Sequence, residues 1–129
     1  MSTKKPIIRI EKTSIVDNYG TYKGQTYDVP TLIRYCKEQK YPVFEAPLAS
    51  LQLDCIPWGD IVDMYSFCEH VIRMNNSELK YPIILAPNGA ILDGAHRICK
   101  AVVLGYKSIK CIRIQEMPSS SGKVDTNNK

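Results

Sequence analysis

The segment YPIILAPNGAILDGAHRICKAVVLGYKSIKCIRI, residues 81–114, decides the fold of this chain. Its residues 83–85 form a short apolar run that is typical of a strand buried on both faces. The Pro-Asn-Gly sequence at 87–89 predicts a turn, because proline fixes φ while asparagine and glycine accept positive φ. The apolar run resumes at 90–92, so the two runs together predict a β-hairpin.

The pattern changes at Asp93, where a helical period begins. Ile98, Ala101 and Val102 would share one face of that helix. Gly105 suits the position just after a helix end. Residues 108–114 then predict a third strand that closes the unit.

The junction at 93–97, Asp-Gly-Ala-His-Arg, carries the chemistry. A helix start leaves backbone N–H groups without partners and carries about half a positive charge. Gly94 lets a ligand approach the backbone closely, and His96 and Arg97 add cationic donors, so the junction suits a phosphate. Asp93 can cap the helix or hold a divalent cation. A purely structural alternative stays open, in which Asp93 only caps and Arg97 only pairs with a surface carboxylate.

This order of elements resembles the ParB/sulfiredoxin superfamily. Its members carry G-x-x-R at the start of a helix, then an alanine, a Leu-Gly helix end and a last strand. The matching positions of this chain are Gly94, Arg97, Ala101, Leu104, Gly105 and residues 110–114. The resemblance covers residues 44–114 and is closest over the second half, and it implies a small α+β domain in which helices pack on a mixed sheet.

Two departures from the superfamily narrow what the resemblance implies. Sulfiredoxins read G-G-C-H-R, with a catalytic cysteine where this chain has Ala95, so sulfinic-acid repair by that route is excluded. Chromosome-partitioning ParB proteins read G-E-R-R and continue into a helix-turn-helix region, which we do not expect in a chain of this length. The motif at 93–97 is most similar to the D-G-H-x-R motif of those superfamily members that use a nucleotide, including free serine kinases. Their loop holds phosphates while an upstream carboxylate deprotonates the acceptor hydroxyl.

The leading hypothesis is therefore a nucleotide-dependent enzyme that transfers a phosphoryl group or cleaves a phosphate ester, using Mg²⁺ and ATP or ADP. Phosphoryl transfer needs positioning and charge neutralisation more than covalent help, which fits this set of residues. The upstream carboxylate follows the Pro-Leu-x-x-Leu segment at 47–51, which is common at the start of the superfamily's core. The predicted site residues are Asp54, Asp60 and His96 for catalysis, Gly94, Ala95, His96, Arg97 and Arg73 for phosphate or nucleotide, and Asp93 for the metal.

Other parts of the chain predict a single domain with an extension at each end. We expect an N-terminal extension over 1–42, with a strand near 7–11, a loop or hairpin tip over 17–24 and a helix after Asp28. The superfamily-like core would span 43–116, beginning with a short strand at 43–46, and a disordered tail would follow over 117–129. The tyrosines at 19, 22 and 27 either stack on an aromatic ligand or cover the end of the core.

Residues 60–75 predict the clearest helix. Its apolar residues fall within one third of the circumference, which predicts a core-facing side. That side carries Ile61, Met64, Tyr65, Cys68, Val71 and Ile72. The opposite side carries Ser66, Glu69, His70 and Arg73 and is expected to be solvated. If it faced the junction instead, His70 and Arg73 would help to bind an anion.

Charge, hydropathy and cysteine content limit the possible ligands and the location of the protein. The 129 residues carry a net charge of +4, which suits an anionic ligand but is too small to indicate duplex DNA. No apolar run approaches the roughly 20 residues of a membrane span, and no signal peptide is evident, so we expect a cytoplasmic protein. The five cysteines include no C-x-x-C pair and are expected to be mostly buried free thiols.

A second hypothesis, from another functional class, is a module that binds a nucleotide or another protein without turnover, as a regulator or inhibitor of a larger assembly. A nuclease or DNA-binding protein is disfavoured by the modest charge. Release or transfer of phosphate from a nucleotide separates the first hypothesis from the second.

Overall fold

A computed structural model describes residues 19–120 and 122–123. Seven strands and three α-helices are found in this part of the chain. In chain order they are β1 (Tyr19–Tyr22), β2 (Gln25–Asp28), α1 (Val29–Gln39), β3 (Phe44–Pro47), α2 (Met64–Asn76), β4 (Ile83–Leu85), β5 (Ile91–Asp93), α3 (Ala95–Leu104), β6 (Ser108–Arg113) and β7 (Gly122–Lys123). A single 3-10 turn, Leu48–Ser50, follows β3.

The strands form two sheets. The larger sheet has the order β3-β6-β4-β5 and is mixed, since β4 and β6 are parallel while the other neighbours are antiparallel. The smaller sheet has the order β1-β2-β7 and is antiparallel. The predicted α+β class with a mixed sheet is confirmed.

The segment over 81–114 folds as its pattern predicts. Strands β4 and β5 pair as a hairpin, and Gly89 takes a positive φ of 89° in the turn between them. Helix α3 ends at Gly105, whose φ of 82° closes the helix in a left-handed conformation. Strand β6 then returns alongside β4. Val102 departs from the prediction, since it is half exposed while Ile98 and Ala101 are buried.

Two apolar clusters lie on either side of the larger sheet. One joins β3, β4, α3 and β6, and the other joins β2, α1, β4 and β5. The first contains Ala46, Leu48, Ile83, Leu85, Ile98, Ala101, Ile109 and Cys111. The second contains Tyr27, Leu32, Cys36, Ile84, Ala86, Leu92 and Ile114. Neighbouring residues of β4 thus face opposite clusters, which is why this strand is apolar without interruption.

The part of the N-terminal extension that is described packs into the second cluster. Residues 19–28 form a hairpin around the turn residues Lys23 and Gly24, both with positive φ. Tyr27 is buried and Tyr22 packs against the same cluster, so these two tyrosines cover the core. The predicted strand at 7–11 lies outside the described residues.

Helix α2 differs from its prediction in both its start and its orientation. It begins at Met64 rather than near residue 60, because Asp63 accepts from the Ser66 amide in a reciprocal capping box. The hydrogen bond from the Ser66 backbone N–H holds the pKa of the Asp63 carboxyl below its usual range. The predicted burial of the apolar side is wrong: Met64 is 84 % exposed, whereas His70 on the polar side is 2 % exposed.

The tail prediction also needs correction. Gly122–Lys123 pairs with β2, Ser120 Oγ donates to Gln25 Oε1, and Met117 packs against the second cluster. The remaining tail positions, 121 and 124–129, lie outside the described residues. Within the described ranges, none of the helices is both long enough and apolar enough to span a bilayer.

The cysteines divide into buried and exposed groups. Cys36 and Cys111 are buried, and burial raises the pKa of each thiol to about 11. Cys99 is half-buried, whereas Cys55 and Cys68 are exposed, contrary to the expectation that most of the thiols are inside. All five thiols are free.

Candidate active site

A cleft of about 890 Å³ opens where α3 begins. Its walls come from β1, the loop over 53–58, the last part of α2, strand β5 and helix α3. Asp93, Gly94, Ala95, His96, Arg97 and Arg73 all line it. The structure therefore brings the predicted phosphate-binding residues to one cleft.

A chain of three polar side chains crosses from the start of α2 to the start of α3. Asp60 Oδ1 lies 2.9 Å from His70 Nε2, and His70 Nδ1 lies 2.9 Å from His96 Nε2. Both histidines are buried, with 2 % of His70 and 9 % of His96 exposed. Two of the three predicted catalytic residues, Asp60 and His96, are thus connected through His70.

The tautomers of the two rings follow from these contacts when Asp60 is ionised. Its carboxylate only accepts, so His70 donates from Nε2 and its Nδ1 becomes an acceptor. His96 then donates from Nε2 to His70, so in this neutral pair Nδ1 of His96 carries no proton. A carboxylate–histidine–histidine chain of this kind can pass a proton along its hydrogen bonds.

Trp58 covers the histidine pair. Its ring stacks on His70 with centroids 4.2 Å apart and on His96 with centroids 4.5 Å apart, at interplanar angles of 18° and 21°. The indole ring therefore shields the histidine pair from water on this side. Trp58 itself lines the cleft and is placed to contact a ligand there.

Helix α3 differs from the other two described helices at its N-terminus. Asp28 caps α1 and Asp63 caps α2 through side-chain oxygens, whereas Gly94 gives α3 no side-chain cap. The first-turn amides of a helix point along its axis and need an acceptor. The first-turn residues of α3, Ala95, His96 and Arg97, line the cleft, which makes this end suited to an anionic ligand.

Arg97 has a structural role in addition to lining the cleft. Its guanidinium donates to Asp93 Oδ2 at 2.8 Å and to the carbonyl oxygens of Tyr81 and Pro82 at 2.9 Å each. Only about one sixth of either charged side chain is exposed, 16 % of Arg97 and 15 % of Asp93. The structural alternative, in which Arg97 pairs with a carboxylate, is therefore found in part: the carboxylate is that of Asp93. Asp93 does not cap α3, because Gly94 occupies the cap position.

Gly94 is required by packing. A Cβ at this position would lie 2.3 Å from Cγ2 of Ile83, and its φ of 117° is unfavourable for side chains. The backbone at Gly94 thus approaches the core closely, and the approach of a ligand there stays a prediction.

The role of Asp93 as a magnesium ligand stays a prediction. One of its carboxylate oxygens is held by Arg97, and within the described ranges no group of three or more His, Cys, Asp or Glu side chains is placed to hold a metal. We derive no step of the chemistry through Mg²⁺.

The two carboxylates predicted as alternative bases occupy different environments. Asp54 is exposed in the loop before Trp58 and does not line the cleft, whereas Asp60 contacts His70. Asp60 Oδ2 is buried without a hydrogen-bond partner in the part of the chain described, so the carboxylate has capacity for one more donor.

Arg73 and His70 lie on the side of α2 that was expected to be solvated. This side instead faces the cleft, as the conditional alternative required. Sequence reasoning gave His70 only that conditional role and gave Trp58 none. The one clue in the sequence was the rarity of these residues. The chain has two histidines and one tryptophan, and the structure stacks all three together.

No family model, curated protein or solved structure matches this chain. The resemblance to the ParB/sulfiredoxin superfamily stays a prediction, and the function must be argued from the site itself.

Proposed function

We propose that this protein is an enzyme that binds a nucleotide or another phosphate ester in the cleft and transfers or hydrolyses its phosphoryl group. The observation that carries the proposal is the Asp60–His70–His96 chain, which ends at the uncapped start of α3. A proton-exchanging group and an anion-binding group are thereby combined at one place.

His96 would exchange the proton with the substrate. As a base it accepts a proton from the attacking hydroxyl or water, and the relay moves positive charge toward Asp60. As an acid it returns that proton to the leaving oxygen. Asp60 and His70 act through His96: they fix its tautomer and stabilise the protonated pair, as an orienting carboxylate does for any catalytic imidazole.

The phosphate would bind at the first turn of α3, between its amides and Arg73. The helix dipole and a guanidinium both stabilise the negative charge that develops on the equatorial oxygens. Arg97 would contribute mainly charge, because its donors hold Asp93 and the backbone before β4.

The remainder of the cleft suits the apolar part of such a ligand. Its walls include several large apolar side chains beside the polar end. They are Leu53, Ile56, Trp58, Ile91, Val102 and Val103. A nucleoside base placed against this wall would remove part of their surface from water, which favours ADP or ATP over inorganic phosphate.

Arg73→Ala is expected to weaken the binding of ADP by about 1.5–3 kcal/mol, the usual contribution of a charged hydrogen bond. Arg34→Ala is the matched control, since Arg34 is exposed on α1 and does not line the cleft. Binding is measured by calorimetry and by the fluorescence of Trp58, which is the single tryptophan and stacks on the histidine pair. Equal ADP affinity in both variants would remove the anion site from this cleft.

Turnover decides between the enzyme and the non-catalytic binding module. Wild-type protein is incubated with ATP and with a panel of phosphate esters and acceptor alcohols, and phosphate release and transfer are followed by ³¹P NMR. ADP binding without any turnover across this panel would favour the binding module.

A further inference from the structure

One side of helix α2 presents an apolar surface to solvent. We call it the α2 face and define it by Ile61, Val62, Met64, Tyr65, Phe67, Cys68 and Ile72. The exposed fractions are 82 % for Val62, 84 % for Met64, 60 % for Tyr65, 54 % for Phe67, 45 % for Ile72 and 38 % for Ile61. Cys68 is exposed among them. The polar side of the helix is taken up by contacts with α3, so a rotation of α2 that buried this face would break the histidine pair.

The α2 face is large for a monomer. At about 200 Å² for a large side chain, these fractions amount to roughly 700 Å² of apolar surface. The largest apolar patch of a typical monomer is about 300–600 Å². Each partner of a standard protein interface buries about 800 Å². The face is therefore close to the area that a stable dimer needs.

The spacing of the face matches a second copy of itself. Met64, Cys68 and Ile72 are four residues apart and form one row along the helix, symmetric about Cys68. Two such rows packed antiparallel place Met64 of one copy against Ile72 of the other, and the same contact recurs on the other side of a two-fold axis. The seven residues that define the α2 face are uncharged, and the exposed Asp63 lies beside them at the start of the helix. The antiparallel helix dipoles attract each other.

From the area and this symmetry we propose that the α2 face is a homodimer interface, with two α2 helices packed antiparallel and Cys68 of each copy near the two-fold axis. The proposal does not depend on the proposed activity, because the α2 face lies on the side of the helix opposite to His70. It assigns a role to an apolar surface that residues 19–120 and 122–123 of one chain do not bury.

Substitutions at the start of α2 test the interface without disturbing the fold. Val62→Asp and Met64→Asp place a carboxylate at the edge of the α2 face. Both positions are close to the helix N-terminus, where a negative charge is favourable. Each is expected to weaken dimerisation at least about tenfold, because an unpaired charge would be buried between the copies. Val43→Asp is the matched control: Val43 is 53 % exposed, lies outside the α2 face and undergoes the same chemical change as Val62.

The molar mass is measured by sedimentation equilibrium of the full chain over a range of concentrations, with circular dichroism to check folding. A dimer in the wild type and in Val43→Asp, dissociated by the two α2 variants, supports the proposal. A wild-type monomer throughout the range overturns it, as does a dimer that persists in folded α2 variants.

The Cys68 thiol, which the proposal places near the two-fold axis, gives a second test by chemical cross-linking. Diamide takes up two hydrogens as two thiols join, and it becomes the hydrazine while a disulfide forms. A Cys68–Cys68 link between copies is expected, so diamide should convert wild type to a covalent dimer that Cys68→Ser abolishes and Cys55→Ser retains. Equal cross-linking in Cys68→Ser would place the contact elsewhere and overturn this geometry.

Discussion

Asp60→Asn is expected to lower phosphoryl transfer or phosphate-ester cleavage by about 10²–10⁴-fold, the usual contribution of a positioned acid–base group. The amide of asparagine carries no charge to stabilise a protonated histidine pair. It can also present an N–H to His70, which would reverse the tautomers along the chain to His96. Binding of ADP should change little, because Asp60 is not part of the first turn of α3.

Asp54→Asn is the matched comparison, since both carboxylates follow the 47–51 segment and both were predicted as bases. Only Asp60 touches the histidine pair, so Asp54→Asn should retain turnover close to that of the wild type. Steady-state rates on the same substrate, with ADP affinities from calorimetry, separate catalysis from binding. A large loss in Asp54→Asn with a normal rate in Asp60→Asn would reverse the assignment of the base.

Gly94→Ala is expected to lower the free energy of unfolding by about 2–5 kcal/mol. A left-handed backbone costs a residue with a Cβ about 1–2 kcal/mol, and overpacking a core adds about 1–3 kcal/mol. Both terms apply here, because φ is 117° and the new Cβ would lie 2.3 Å from Cγ2 of Ile83.

Gly105→Ala isolates the backbone term. Its φ is 82°, and no atom lies within 4 Å of the Cβ position, so the expected loss is only about 1–2 kcal/mol. Urea unfolding of both variants gives the difference, which is the contribution of the contact with Ile83. Equal losses in the two variants would contradict the tight packing between the start of α3 and β4.

The sequence predicted best those elements whose signals are local. The β4–β5 turn, the end of α3 at Gly105 and the start of α1 after Asp28 each depend on one or two residues with strong backbone preferences. The mixed sheet was implied by the resemblance to the ParB/sulfiredoxin superfamily.

Helix α2 shows where this reasoning stops. Its amphipathic pattern predicted the correct division into two sides but assigned the wrong side to the core. On the buried polar side, His70 makes hydrogen bonds to His96 and Asp60, which offset the cost of removing it from water. His96 lies 26 residues away from His70 in the sequence. Partners at that separation are invisible to periodicity.

The candidate site was predictable to a similar degree. The junction over 93–97 was predicted from local chemistry, whereas Asp60 was one of two carboxylates that the superfamily resemblance implied as the base. His70 as the link between them was not identified, because the role of a middle residue is visible only after the two ends are placed. Arg97 was assigned to a phosphate or, in the structural alternative, to a surface carboxylate, whereas the carbonyl oxygens of Tyr81 and Pro82 also take its donors.

The central claim is that the histidine pair works at a phosphate-binding cleft, and the ¹⁵N NMR spectrum of the histidine rings tests it most directly. The chain contains two histidines, so every ring signal belongs to His70 or His96. In the neutral pair we expect both rings to carry their proton on Nε2, and addition of ADP or ATP should shift both rings with one shared saturation curve. Rings that show no hydrogen bond to each other, or that remain unmoved as the nucleotide reaches millimolar concentration, would contradict the account.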